Sequence, residues 1–314
     1  MAAMERPRRT REIRKKASDM KKTMEWRLSA RTLVLGLLGI ACVSVASAQT
    51  PLVWYKMNEG SGTLVGDSGS GTALNATMSG TATWTTSTPS GTGSAVSIVD
   101  NATDANFIST GAVTGTKVDA LSQFTITLWV NLQALPTAGD RLISTLNVGA
   151  TKGFDLNIQN PTSGTLSAAN FCPTLMVDGY AAPAVGAPSN NVSAANTWLF
   201  LAVTYDGLSS SGNVKFYSGN TSGALISLGT TSITSGAVDS TTGALQIGNT
   251  SASSGDRTPS ALFDDVRIYG GVLTSTDIDT IRMDAVPEPS TALLAALGLA
   301  GFGLLKLRSR RQLL

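Results

Sequence analysis

Phe124-Thr125-Ile126-Thr127-Leu128-Trp129-Val130 decides the fold. Phe124, Ile126, Leu128 and Val130 fall on one side of an extended chain, and the two threonines and Trp129 on the other. Trp198 to Tyr205, Trp-Leu-Phe-Leu-Ala-Val-Thr-Tyr, is more continuously apolar, as in a strand buried on both faces. Shorter candidates surround them: Leu52–Met57, Val96–Ile98, Asn106–Ser109, Arg141–Leu146, Phe154–Ile158, Leu175–Val177, Val214–Tyr217, Ala244–Ile247 and Ala261–Tyr269. Gly, Ser, Asn and Asp separate them. Many short strands with frequent turns predict an all-β sandwich of jelly-roll size. One helix is expected, where Thr274-Ser275-Thr276-Asp277 supplies an N-cap and acidic first turn ahead of Ile278 and Ile281.

Both ends differ from this passenger. Residues 1–31 hold eleven Lys or Arg against four Asp or Glu. The apolar run Leu33–Val45 and Ala46-Ser47-Ala48 follow, which predicts a secretory signal over 1–48, cut by signal peptidase between Ala48 and Gln49. A start at Met20 or Met24 gives a more ordinary basic region, and Cys42 offers a rival lipoprotein reading, although Gly39 stands where that motif wants Leu. At the other end, Val286-Pro287-Glu288-Pro289-Ser290 precedes an apolar run to Leu305, then Lys306, Arg308, Arg310 and Arg311. The prolines fix φ and remove donors. The run of about 16 residues is at the short edge of what crosses a hydrocarbon core of about 30 Å, and its basic end sets a positive-inside orientation. A C-terminal transmembrane helix over this run, in a tail spanning 286–314, is the expectation.

Charge follows the same division. Residues 49–285 carry 8 Lys or Arg and 16 Asp or Glu, a formal net of −8, while the whole chain is +2. The basic excess lies in the ends that meet membrane and gives no reason to expect nucleic acid. The chain has no His, and the passenger's one Glu is Glu59. Without His, the Ser-His-Asp triad, the Cys-His dyad and a His-ligated zinc are excluded. Cys172 is the one cysteine left after signal removal, so no internal disulfide can form, and it reads as a small buried hydrophobe.

The tail resembles the PEP-CTERM sorting signal of Gram-negative bacteria that make extracellular polysaccharide. That resemblance implies processing by an exosortase after transient anchoring in the inner membrane, and delivery to the envelope, outer surface or exterior. The passenger, residues 49–285, resembles the laminin-G-like (concanavalin A-like) jelly roll. The resemblance rests on Leu52–Gly62 with Asp67–Gly71, Phe124–Val130, Trp198–Asp206, Val214–Tyr217, Leu245–Gly248 and Phe263–Tyr269 with Leu273–Ile278, in that order. Leu199 departs from the family's His after the Trp, and Asn220-Thr221-Ser222 from its usual Asp-Gly hairpin.

The fold also hosts retaining glycosidases, whose two carboxylates lie about 5 Å apart. Their Glu-x-Asp-x-x-Glu signature cannot be built from Glu59 alone, and regular alternation places Asp264 and Asp265 on opposite faces. The resemblance implies a calcium ion between an early loop and the last strand, at Asp67 and Asp264; the alternative is an Asx-turn at Asp67. Carbohydrate binding needs exposed aromatics, for which Trp84 and Trp129 are the candidates, with core or cover positions as the alternative. The expectation is a non-enzymatic secreted or surface module that binds glycan or protein in an exopolysaccharide matrix. A degenerate glycan hydrolase and a membrane-anchored adhesin are the alternatives.

Overall fold

A computed structural model of the chain describes residues 49–100, 106–159, 171–183, 196–234, 236–251 and 257–286. The expected signal segment up to Ala48, the motif residues Pro287, Glu288, Pro289 and Ser290 and the expected transmembrane run lie outside these residues. Among the described residues no helix is long and apolar enough to cross a membrane.

Sixteen strands and one helix are described, in the order β1 (Val53–Tyr55), β2 (Leu64–Val65), β3 (Ala76–Ser79), β4 (Thr83–Thr85), β5 (Ala95–Ile98), β6 (Phe107–Ala112), β7 (Gln123–Leu132) and β8 (Arg141–Ser144). There follow β9 (Phe154–Gln159), β10 (Cys172–Val177), β11 (Tyr180–Pro183), β12 (Leu199–Asp206), β13 (Val214–Gly219), β14 (Ile226–Thr231), β15 (Ala244–Ile247), β16 (Ala261–Tyr269) and α1 (Ser275–Asp284). The first sheet runs β14-β13-β12-β7-β16-β5-β4, with β1 also paired to β16. The second runs β11-β10-β9-β8-β15-β6-β3-β2. The pairings are antiparallel throughout, as a sandwich built from sequential hairpins and crossovers requires.

The main core lies between the sheets. Phe124, Ile126, Leu128 and Val130 of β7 enter it as their alternation demands, with Leu199, Leu201, Val203 and Tyr205 of β12 beside them. Phe124 stacks at 5.0 Å on Phe154 and 5.2 Å on Tyr205, so rings from both sheets meet at the centre. Cys172 is buried in the same core.

A second apolar cluster covers the outer face of the first sheet. Trp129, Phe200, Ala202, Tyr217 and Tyr269 point outward and meet Leu273, Ile278 and Ile281. This helix is why β12 is buried on both faces. Its start is a capping box: Thr274 Oγ1 accepts from the Asp277 amide (3.2 Å), and the Thr274 amide donates to Asp277 Oδ2 (3.1 Å). The helix ends on Ala285, and Val286, first residue of the sorting motif, packs against the same cluster.

Candidate functional site

The last strand positions a site that regular alternation hides. Along β16, β7 pairs on one side, but its register shifts between Asp264 and Arg267. On the other side β5 pairs through Phe263 and β1 takes over at Val266. At this change of partner Asp265 adopts φ 47°, a left-handed conformation that Asp tolerates better than most residues. The bulge breaks the period of two. Asp264, Asp265 and Arg267 therefore share the outer face, which corrects the expectation that the two aspartates diverge.

These side chains form the floor of a cleft of about 500 Å³. Trp54 of β1 and Lys56 just after it line one wall, and Asp284 and Ala285 at the end of α1 another. Asn58, Ser90, Thr92 and Gly93 close the third. That wall is held from within: the Ser94 amide donates to Asn58 Oδ1 (3.1 Å), Ser94 Oγ donates to the Met57 carbonyl (2.9 Å) and the Thr92 amide donates to Ser90 Oγ (3.1 Å). Gly93 is required there. Its φ is 85°, and a Cβ would lie 2.3 Å from Asn58 Oδ1.

The charges in the cleft are unequally matched. Arg267 Nε donates to Asp265 Oδ1 (3.0 Å), its Nη2 lies 3.0 Å from Asp265 Oδ2, and its Nη1 lies 3.6 Å from Asp284. The Trp54 indole N–H also donates to Asp265 Oδ1 (2.5 Å). Lys56 Nζ sits 4.2 Å and the Arg267 guanidinium 4.3 Å from the Trp54 ring centre. Asp264, 7 % exposed, accepts only from the Asp265 amide (2.8 Å) among the described residues. Burial, reinforced by the Asp265 charge, pushes its carboxyl up to about 8. Asp264 is thus a neutral acid beside an ion-paired carboxylate.

Asp67 is elsewhere and differently engaged. Its Oδ2 accepts from Lys117 Nζ (2.6 Å) and the Leu74 amide (2.8 Å), and its Oδ1 from the Trp54 (3.0 Å) and Gly69 (2.7 Å) amides. Burial would raise its pKa, but the Lys117 ammonium and these three amides outweigh it and hold it below the usual carboxylate range. The bond to Gly69 is an Asx-turn. Lys117 occupies the place expected of calcium, and among the described residues no group of three or more His, Cys, Asp or Glu gathers. These residues do not fit a divalent cation at Asp67.

The aromatic candidates also move. Trp129 is 0 % exposed and stacks edge-on against Phe200 at 5.4 Å beneath α1, so no sugar can reach it. It does oppose the apolar face of its strand, but that outward face is roofed. Trp84, half-buried, packs against the main core and donates its indole N–H to the Gly62 carbonyl (2.8 Å).

The outer face of the second sheet carries a buried polar row. Cross-strand pairing aligns Asn157 with Arg141, and Asp155 with Ser144 and Gln246. Arg141 Nη1 donates to Asp155 Oδ2 (2.6 Å), as does Asn157 Nδ2 (2.5 Å). Burial raises the Asp155 carboxyl to about 6 against the opposing pull of Arg141. Asp155 is the one acid on β8, β9, β10 and β15, so these strands cannot form a two-carboxylate glycosidase centre.

The profile of the Concanavalin A-like lectin/glucanases superfamily matches residues 105–279, and that of the PEP-CTERM protein-sorting motif matches 285–311. No curated protein matches the chain. Among solved structures, domain 4 of AbnA, a GH43 extracellular arabinanase from Geobacillus stearothermophilus, determined in complex with arabinotriose, is similar with a TM-score of 0.52 at 14% identity. That match covers 75% of this chain and 100% of that one. The binding domain of botulinum neurotoxin serotype G gives 0.50 at 15% identity over 74% of this chain and 50% of its own. The binding domain of botulinum neurotoxin DC, in complex with SialylT, gives 0.51 at 15% over 76% and 52%. The chain thus spans all of the arabinanase domain and about half of each toxin binding domain.

Proposed function

The chain belongs to the concanavalin A-like lectin/glucanase superfamily and carries a PEP-CTERM sorting motif, and from that premise we propose that it is an exported glycan-binding module of the cell surface or extracellular matrix. Exosortase would process it at the motif after signal peptidase has acted, and the glycan would be exopolysaccharide. The observation that carries this reading is the solvent-facing cleft floored by Asp264, Asp265 and Arg267. It offers carboxyl, guanidinium, amide and hydroxyl groups beside an indole, the mix that recognises a polyhydroxylated ligand. The arabinotriose and SialylT complexes of the two similar domains support the ligand class.

Binding is favoured over hydrolysis by the state of Asp265. Its Oδ1 accepts from Arg267 and Trp54 and its Oδ2 faces the Arg267 guanidinium at 3.0 Å, so it is held as an ion pair rather than poised as a nucleophile beside Asp264. A glycan array and a pull-down on the host's exopolysaccharide test the proposal. Retention of the protein without release of reducing ends supports it; released oligosaccharide refutes the non-enzymatic reading. Intact mass of the exported protein separates a processed module from an anchored adhesin by the presence of residues after 289.

A further inference from the structure

We propose that the cleft takes a glycan carrying free amino groups, with Asp264 as the counter-ion of one ammonium. This rests on the glycan reading above. The argument starts from an imbalance of partners. Asp264 is more than nine-tenths buried on the cleft floor, and among the described residues its second oxygen has no hydrogen-bond partner. Buried carboxylates in folded proteins are paired or neutralised. Of the cations facing the cleft, Arg267 of the same strand is ion-paired with Asp265 and Asp284, and Lys56, just after β1, is exposed and rests over the Trp54 ring. The other charged groups facing the cleft, Asp265 and Asp284, are acids and disfavour ionisation of Asp264. In the free cleft the carboxyl is therefore neutralised by its own proton, and a cation brought by a ligand can take that proton's place.

The surroundings select the kind of cation. A hard metal ion needs several oxygen ligands at once; Asp265 and Asp284 are both paired with Arg267, and among the described residues no three His, Cys, Asp or Glu gather to hold one. An ammonium has three donors. One suits Asp264, and the acceptors Asn58, Ser90 and Thr92 on the loop wall suit the sugar that bears it. An N-acetyl group in the same place supplies no charge and leaves the carboxyl neutral.

The consequence is an exchange of protons. At pH 6 the free cleft holds a neutral Asp264, and capture of an ammonium releases its proton to solvent. Calorimetry of the full-length protein, in two buffers of different ionisation enthalpy, reads this directly. The probes are glucosamine oligomers, their N-acetylated counterparts, neutral gluco-oligosaccharides, calcium chloride and a lysine-rich peptide. The expected result is at least tenfold tighter binding of the glucosamine oligomers, with close to one proton released per site. Asp264→Asn, an isosteric change that keeps the cleft's shape, removes both the preference and the proton release. Its melting curve shows that it folds. Equal affinity for amino and N-acetylated oligomers overturns the inference and leaves the glycan reading standing. Binding of no oligosaccharide overturns both. Calcium or the peptide binding with proton release, where oligosaccharides fail, overturns the assignment to an amino sugar.

Discussion

Asp264→Asn changes how stability depends on pH, in a direction set by the bulge that buries the residue. The Asp264 carboxyl is raised from 3.8 to about 8, first by burial and then by the Asp265 charge. The unfolded chain loses this proton near pH 4, whereas the folded chain keeps it until about pH 8. Between those values the unfolded state binds fewer protons, so the contribution of this group is whole below about pH 4 and is lost as pH rises toward 8. Each pH unit in that window costs at most about 1.4 kcal/mol. Asparagine has no proton to hold, so the stability of the variant relative to the native protein grows from pH 5 to pH 8, with a ceiling of about 4 kcal/mol. For a domain of this size about 1 kcal/mol moves the melting temperature by roughly 2–4 °C, so a relative rise of several degrees is expected. Asp155 titrates in the same range, but it is common to both proteins and cancels in the difference. The assay is thermal melting of both proteins at each pH unit from 5 to 8. A constant offset, or one that shrinks with pH, refutes the picture of a buried, uncompensated carboxyl.

The Arg141–Asp155 pair gives a second test: Asp155→Ala strands a buried guanidinium and costs about 3–5 kcal/mol in urea unfolding, while the double change with Arg141→Met recovers most of that loss. Trp129→Ala opens a cavity between β7 and α1 and lowers stability by about 3–5 kcal/mol, without loss of binding to any glycan that the native protein retains. Because Lys117 neutralises Asp67, melting with a chelator matches melting with calcium, and equilibrium dialysis finds no ion bound at Asp67. A chelator-induced fall in melting temperature that vanishes in Asp67→Asn contradicts that assignment.

The sandwich was legible wherever one face of a strand is buried. Phe124–Val130 and Ala261–Tyr269 alternate or run apolar because the core requires it, and both are strands over those residues. The strands without a sequence signal are β2, β3, β4, β11 and β14, which are short or lie at sheet margins. β14 reads Ile-Ser-Leu-Gly-Thr-Thr, with its leading Ile226 exposed, so hydrophobic periodicity has little to act on.

The site was half legible, and the reasons are physical. Asp264 stood out as a candidate ligand, but period two put Asp265 on the opposite face, and by the same rule it put Phe263 opposite the equally apolar Val266 and Ile268. That conflict was itself a signal. Phe263 can share the core with Val266 and Ile268 only if the strand bulges between them, and a bulge there aligns Asp264, Asp265 and Arg267 on one face. Trp129 carried a similar signal. A large apolar ring on the outer face of a central strand needs a cover, and Ile278 and Ile281 of the expected helix needed a surface. Joining the two requirements buries Trp129 beneath α1. It also leaves the end of that helix, with Asp284, beside the bulge, where the cleft has its third carboxylate.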